Sequence, residues 1–183
     1  KIIDLLRPEK IEELRKANPK HVFIKLIENL LSKVIAESRR NNLIKSQQYS
    51  EKLRRILDSY HSRTDDLSVE EVIVHLVDFA IEVVHDEDEA TRQGLSGREK
   101  AFYDALATDR SARELLNDET LKLIAHELKE KIEAYATVDW SIKKSTQARM
   151  RIEIKKLLKK YNYPPDFTDG AIERVIKQAE YMM

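Results

Sequence analysis

The sequence has no cysteine, which excludes disulfides and thiolate zinc sites and fits a reducing compartment. Three glycines and four prolines are very few for 183 residues. Positive and negative side chains cancel, 33 against 33, so no global field draws the chain to nucleic acid or membrane. Any electrostatic preference must come from local patches. No apolar run reaches about 18 residues, so nothing spans a membrane, and no signal peptide is visible at the start. There is no GxxxxGK[ST] loop to cradle a phosphate, no HExxH, and no serine in a nucleophile elbow. No repeat of fixed period stands out, so a solenoid is not expected. The chain opens on Lys1 rather than Met and reads as a fragment of a longer protein, so chemistry is expected to lie outside it.

What is present favours helix. Hydrophobic residues make up 42% and charged residues 36%, enough apolar content with strong periodicity to argue against disorder. Glu, Lys, Leu, Ile and Ala dominate, and no alternating strand pattern bounded by turns occurs. The expected fold class is all-α, an irregular multi-helix bundle of about seven to eight helices.

Pro8 suits a first helical turn, and a charged helix follows to Ala17 before Asn18-Pro19 breaks it. From Lys20 to about Arg40, the pairs Val22-Phe23, Leu26-Ile27, Leu30-Leu31 and Val34-Ile35 make a wide apolar stripe. Ser46 or Ser50 is the expected cap of the next helix, with Tyr49, Leu53, Ile56, Leu57 and Tyr60 on one face. Asp65 to Ser68 reads as a turn, and Ser68 with Glu71 as a capping box. The helix behind it is expected to bury Val72, Ile73, Leu76, Val77, Ala80, Ile81 and Val84. Gly94 and Gly97 mark the best internal boundary, separating possible sub-bundles 1–93 and 94–183 of a single helical domain. Ser96 or Gly97 starts a helix carrying Ala101, Phe102, Ala105 and Leu106. A short helical turn is expected at Ala112 to Leu116. Asp118 is the expected cap of a helix with Leu121, Ile124, Ala125, Leu128, Ile132 and Tyr135 inward. A long helix then starts near Asp139, with Met150, Ile154, Leu157 and Tyr161 as its inward stripe and Pro164-Pro165 as its stop. Thr168 or Asp169 caps a last helix with Ile172, Val175, Ile176, Ala179 and Met182 inward.

Candidate chemistry is thin. His21, His61, His75, His85 and His126 are scattered, and no pair sits at i, i+4 on one helix face. His75, in an otherwise apolar helix beside Asp78, reads as a buried or half-buried hydrogen-bonded histidine rather than a metal ligand. His85-Asp86-Glu87-Asp88-Glu89 lacks the glycine that a calcium loop needs, Thr91 standing in its place, and reads as a solvated acidic surface. Nuclease-like fragments Glu51-Lys52 and Glu99-Lys100 fall on helices with no strand to hold them. No catalytic, cofactor or metal residue is nominated. Trp140 reads as the anchor of a helix start rather than an interface hot spot.

Charge distribution is the informative anomaly. Residues 64–91 hold ten acids and no Lys or Arg, whereas 143–160 hold eight basic residues against Glu153 alone. Lys144, Arg151 and Lys155 are expected to lie away from the Met150–Tyr161 stripe, with Lys143, Arg149, Lys156, Lys159 and Lys160 flanking it. These eight are the candidate partner or DNA contacts. The competing reading is a solvated helix, or pairing with the acidic segment inside the fold. Aromatic interleaving that would favour single strands is absent until Tyr161 and Tyr163.

Two stretches resemble a known family. GLSGREKAFYDAL (Gly94 to Leu106) and VDWSIKKSTQARMRIEIKKLLKKYNYPPD (Val138 to Asp166) are similar to the C-terminal region of type I restriction enzyme R subunits. LRPEKIEELRKANPKHVFIKLIENLL at the start and AIERVIKQAE near the end are similar to the same region, so the resemblance covers nearly the whole chain. It implies a non-catalytic helical domain that docks the DNA-translocating and cleaving subunit onto the methyltransferase and specificity subunits, beside upstream domains of the same R subunit. The parent is implied to be an ATP-dependent endonuclease (a hydrolase with a helicase-like translocase) that uses ATP and Mg. None of its catalytic motifs falls within this chain, which is expected to need no cofactor and no membrane and to be cytoplasmic. The alternative is an accessory DNA-binding role for the basic 143–160 face during translocation.

Overall fold

The computed structural model describes residues 1–62, 66–95, 97–135 and 144–182, with side chains for all of these but 66–68 and 182. Among the described residues every regular element is helical. A short 3-10 helix, Ile2–Leu6, precedes α1 (Pro8–Ala17), α2 (Lys20–Arg39), α3 (Leu43–His61), α4 (Asp66–Arg92) and α5 (Gly97–Ala107). Then come α6 (Arg110–Leu115), α7 (Asp118–Tyr135), α8 (Lys144–Lys160) and α9 (Pro165–Met182). The chain is all-α, and the turn expected at Ala112 to Leu116 is a helix of its own. The helices form two compact units. Lys1–Arg39 and Ser46–Gly94 make the first, and Arg40–Lys45 with Leu95–Met183 make the second.

In the first unit the 3-10 helix plugs fully buried Leu6 against α2 and α4. The core is Phe23, Ile24, Ile27 and Leu31 of α2 against Val72, Ile73, Leu76, Phe79 and Val83 of α4, with Tyr49 and Leu53 of α3. The apolar pairs in the sequence drift around a 3.6-residue helix, so only one member of some pairs stays inward. Val22 and Ile81, expected inside, are 46% and 42% exposed, while Ile24 and Phe79 take the inward places. His75 likewise lies exposed on the outer side of α4 rather than buried. α4 already begins at Asp66, which puts Ser68 inside the helix rather than at its cap. It ends at Arg92, and two residues on Gly94 takes a φ of +69°, the left-handed turn a side chain would strain.

In the second unit α5 packs on α6, α7 and α9, and α8 packs on α7 and α9. Phe102, Leu106, Leu121, Ile124, Leu128, Ile154, Leu158 and Val175 share one core, joined by Ile44 from the start of α3. Four helix ends differ from expectation, each for a local reason. α3 is capped by Asn42, whose side-chain oxygen accepts the Lys45 N–H at 3.0 Å, while Ser46 lies inside the helix. Asn117, not Asp118, caps α7 by accepting the Thr120 N–H at 2.8 Å. α8 ends before the proline pair. Asn162 takes φ +58°, and the amides of Asn162 and Tyr163 close back onto the carbonyls of Lys159 and Leu158. That is a Schellman stop. Pro165 is then the first residue of α9, and Thr168 and Asp169 fall inside it. Residues 136–143, including the expected cap Asp139 and Trp140, lie outside the described residues.

Candidate contact surface and the residues that hold it

The family-like stretch on α5 is tied into the second unit at almost every polar position. Glu99 meets His126 and Lys129, each at 3.4 Å. The Tyr103 hydroxyl donates to Asp118, and burial together with that carboxylate pushes the phenol well up. Asp104, almost fully buried, accepts from Asn42 at 2.6 Å and from Lys100 at 2.7 Å. The backbone carbonyls of Ala105 and Leu106 accept from Arg174 and from the Tyr163 hydroxyl, both at 2.7 Å. Burial raises the Tyr163 phenol to about 12. The two stretches that carry the resemblance therefore meet: the tyrosine of the YPPD turn is hydrogen-bonded to the last turn of α5.

One buried side chain, Gln178, was not legible as a partner. Gln178 is fully buried, accepts the Leu43 N–H at 2.7 Å and donates to the Asn41 carbonyl at 3.3 Å. Together Gln178, Asn42 and Asp104 hold the α2–α3 connection within the second unit. The available signal was a glutamine on the inward stripe of α9, three residues after Val175 and one before Ala179.

Of the eight basic residues nominated, Lys143 lies outside the described residues. The other seven are on α8, whose Met150, Ile154, Leu157 and Leu158 are buried. Arg151 does not point outward: it is half-buried and bidentate to Glu173 of α9. The outward position belongs to Ile152, 56% exposed. Lys156 pairs with Glu153 at 3.7 Å, and Lys160 with Glu127 at 3.6 Å while lying over the Tyr161 ring. Lys144, Arg149, Lys155 and Lys159 are exposed and make no ion pair with any other described residue. The α8 pairs go to Glu127, Glu153 and Glu173. The acidic segment is engaged within the first unit, Glu70 with Arg15 and Lys20, Glu82 with Lys52, and Asp88 with both Arg7 nitrogens at 3.1 Å.

Other candidates are structural or dispersed. Glu51 meets Arg55, and Lys52 meets Glu82 and the Phe79 ring. Asp86 to Glu89 are helical within α4, Asp86 accepting from Tyr49. A hollow of about 930 Å³ lies along α2 and α3, floored by Ile35, Leu53 and Leu57. Its charged rim, Arg39, Glu51, Arg54 and Asp58, mixes both signs. Among the described residues no three His, Asp or Glu side chains converge as a metal site. No described helix is long and apolar enough to cross a membrane.

A family model for "Type I restriction enzyme HindI endonuclease subunit-like, C-terminal" matches residues 1–183. The type I restriction enzyme HindI endonuclease subunit of Haemophilus influenzae is 32% identical over 178 residues, 97% of this chain and 17% of that protein. A putative type I restriction enzyme MjaIXP endonuclease subunit of Methanocaldococcus jannaschii is 26% identical over 159 residues, 86% of this chain and 15% of that protein. The chain thus spans about one sixth of the length of these relatives. No solved structure matches.

Proposed function

The chain belongs to the C-terminal family of HindI-like type I restriction endonuclease subunits, and from that premise we propose that it is a non-catalytic assembly domain. In this reading it docks the DNA-translocating and cleaving subunit onto the methyltransferase and specificity subunits, in the cytoplasm, with no nucleotide or metal of its own. The observation that carries the proposal is where the family-like residues are used. Tyr103, Asp104, the Ala105 and Leu106 carbonyls and Tyr163 all serve internal bonds. What remains for function is the shape of the helical surface, and rigid helix faces are a recurrent means of partner recognition.

The test is capture of the chain by the purified methyltransferase and specificity subunits, with duplex DNA as a separate bait. Retention on the protein baits without DNA is expected. Failure to bind either subunit, alone or together, would remove the assembly reading. Metal-dependent cleavage of DNA by the chain itself would overturn its non-catalytic part.

A further inference from the structure

We propose that the outer face of α8 is a contact surface for the phosphate backbone of double-helical nucleic acid, read without base specificity. At about 100° per residue, Lys144, Lys155 and Lys159 fall within roughly 60° of one another, and Arg149, Lys156 and Lys160 within roughly 40°. Together they border a face of about 160° opposite the buried stripe, with Ser145 and exposed Ile152 between the two rows. The one acid on the helix, Glu153, lies at its margin beside α7, where it meets Lys131 and Lys156. The helix is 17 residues long, which spreads these cations over about 25 Å.

A net-neutral chain has no reason of solubility to concentrate unpaired lysines on one helix. Lys144, Arg149, Lys155 and Lys159 keep no partner among the described residues, although acids on α7 and α9 pair with Lys160 and Arg151 at the edges of the face. The chemistry separates the possible partners. Protein interfaces deplete lysine and centre on buried apolar or aromatic anchors; this face is lysine-rich, with Ile152 as its one large exposed apolar residue among the described residues. A membrane surface would need an apolar side turned outward, and the apolar side of α8 is buried in the core. Single strands are bound by stacking on aromatics, and Tyr163 is buried while the Tyr161 hydroxyl is held by Glu127. Flexible point charges distributed along a helix fit the phosphates of a duplex, whose condensed counterions they would release. This goes beyond the assembly reading and does not depend on it.

The experiment is a salt titration of the chain's affinity for a DNA duplex of about 20 base pairs, starting near 50 mM salt. With three to four cations engaged, the slope of log K against log salt is expected at about −3. The variant Lys144→Gln/Lys155→Gln/Lys159→Gln should bind about tenfold or more weaker with a slope nearer −1. The charge-matched control Lys10→Gln/Lys16→Gln/Lys33→Gln, on α1 and α2, should change little. Lys144→Arg/Lys155→Arg/Lys159→Arg should keep both affinity and slope, and circular dichroism confirms that each variant is folded. No binding at low salt overturns the proposal. So do equal losses in the α8 and control variants, or loss in the arginine variant. The protein baits of the capture experiment above fail or succeed separately.

Discussion

Gln178 shows how much one uncharged side chain can hold. It is fully buried on α9 and satisfies both the first amide of α3 and the carbonyl of Asn41. Replacing it with leucine leaves these groups without their side-chain partner, and an unsatisfied buried group costs about 1–3 kcal/mol. Gln178→Leu should therefore lower the melting temperature by several degrees, about 2–4 °C per kcal/mol for a chain of this size. Arg151→Gln, which removes an ion pair in which Arg151 and Glu173 remain 39% and 63% exposed, should shift it by less than about 2 °C. Calorimetry on the two variants decides the ranking, and equal shifts would show that Gln178 does not hold the connection.

At the scale of the element, the stop of α8 is set by one residue. Asn162 adopts a left-handed conformation that asparagine and glycine tolerate and β-branched residues do not. Asn162→Gly should be neutral to within about 0.5 kcal/mol, whereas Asn162→Val should cost about 1–2 kcal/mol. Urea titration distinguishes them; a valine variant as stable as the glycine one would mean that the turn is not held in this conformation. The same element shows what could be read from residues alone. The stripe Met150, Ile154, Leu157 was legible because burial repeats with the helical period. The stop was not, because Pro164-Pro165 is the louder signal while the Schellman turn rests on backbone bonds. Caps failed for a related reason: Asn42 and Asn117 compete with nearby Ser46 and Asp118, and only the backbone path decides which oxygen reaches the third amide. On the basic face, the composition was plain in the sequence, but the diversion of Arg151 toward Glu173 and the outward turn of Ile152 depend on how α8 lies against α9.

At the scale of the whole molecule, the described residues build two hydrophobic cores with no shared residue. Leu76 is fully buried in one and Phe102 almost so in the other. Leu76→Ala and Phe102→Ala should each cost about 2–5 kcal/mol in the core concerned. Hydrogen exchange should then report loss of protection mainly in the unit that carries the substitution. Equal loss across both units for either variant would show one cooperative core. Family membership was legible because its two marker stretches are long and ordered. Why those residues recur together was not, since the bond from Tyr163 to the Leu106 carbonyl joins positions 57 apart in sequence.

The α2–α3 connection also has a consequence in time. Leu43 and the glutamine that receives its amide are separated by 135 positions along the chain. At about 5–20 residues per second of synthesis, the start of α3 waits roughly 7–27 seconds for Gln178 to be made. The Leu43 amide thus gains its side-chain acceptor only after α4 to α8 and most of α9 have been made. Until α9 has emerged, a nascent chain carries that amide without this partner.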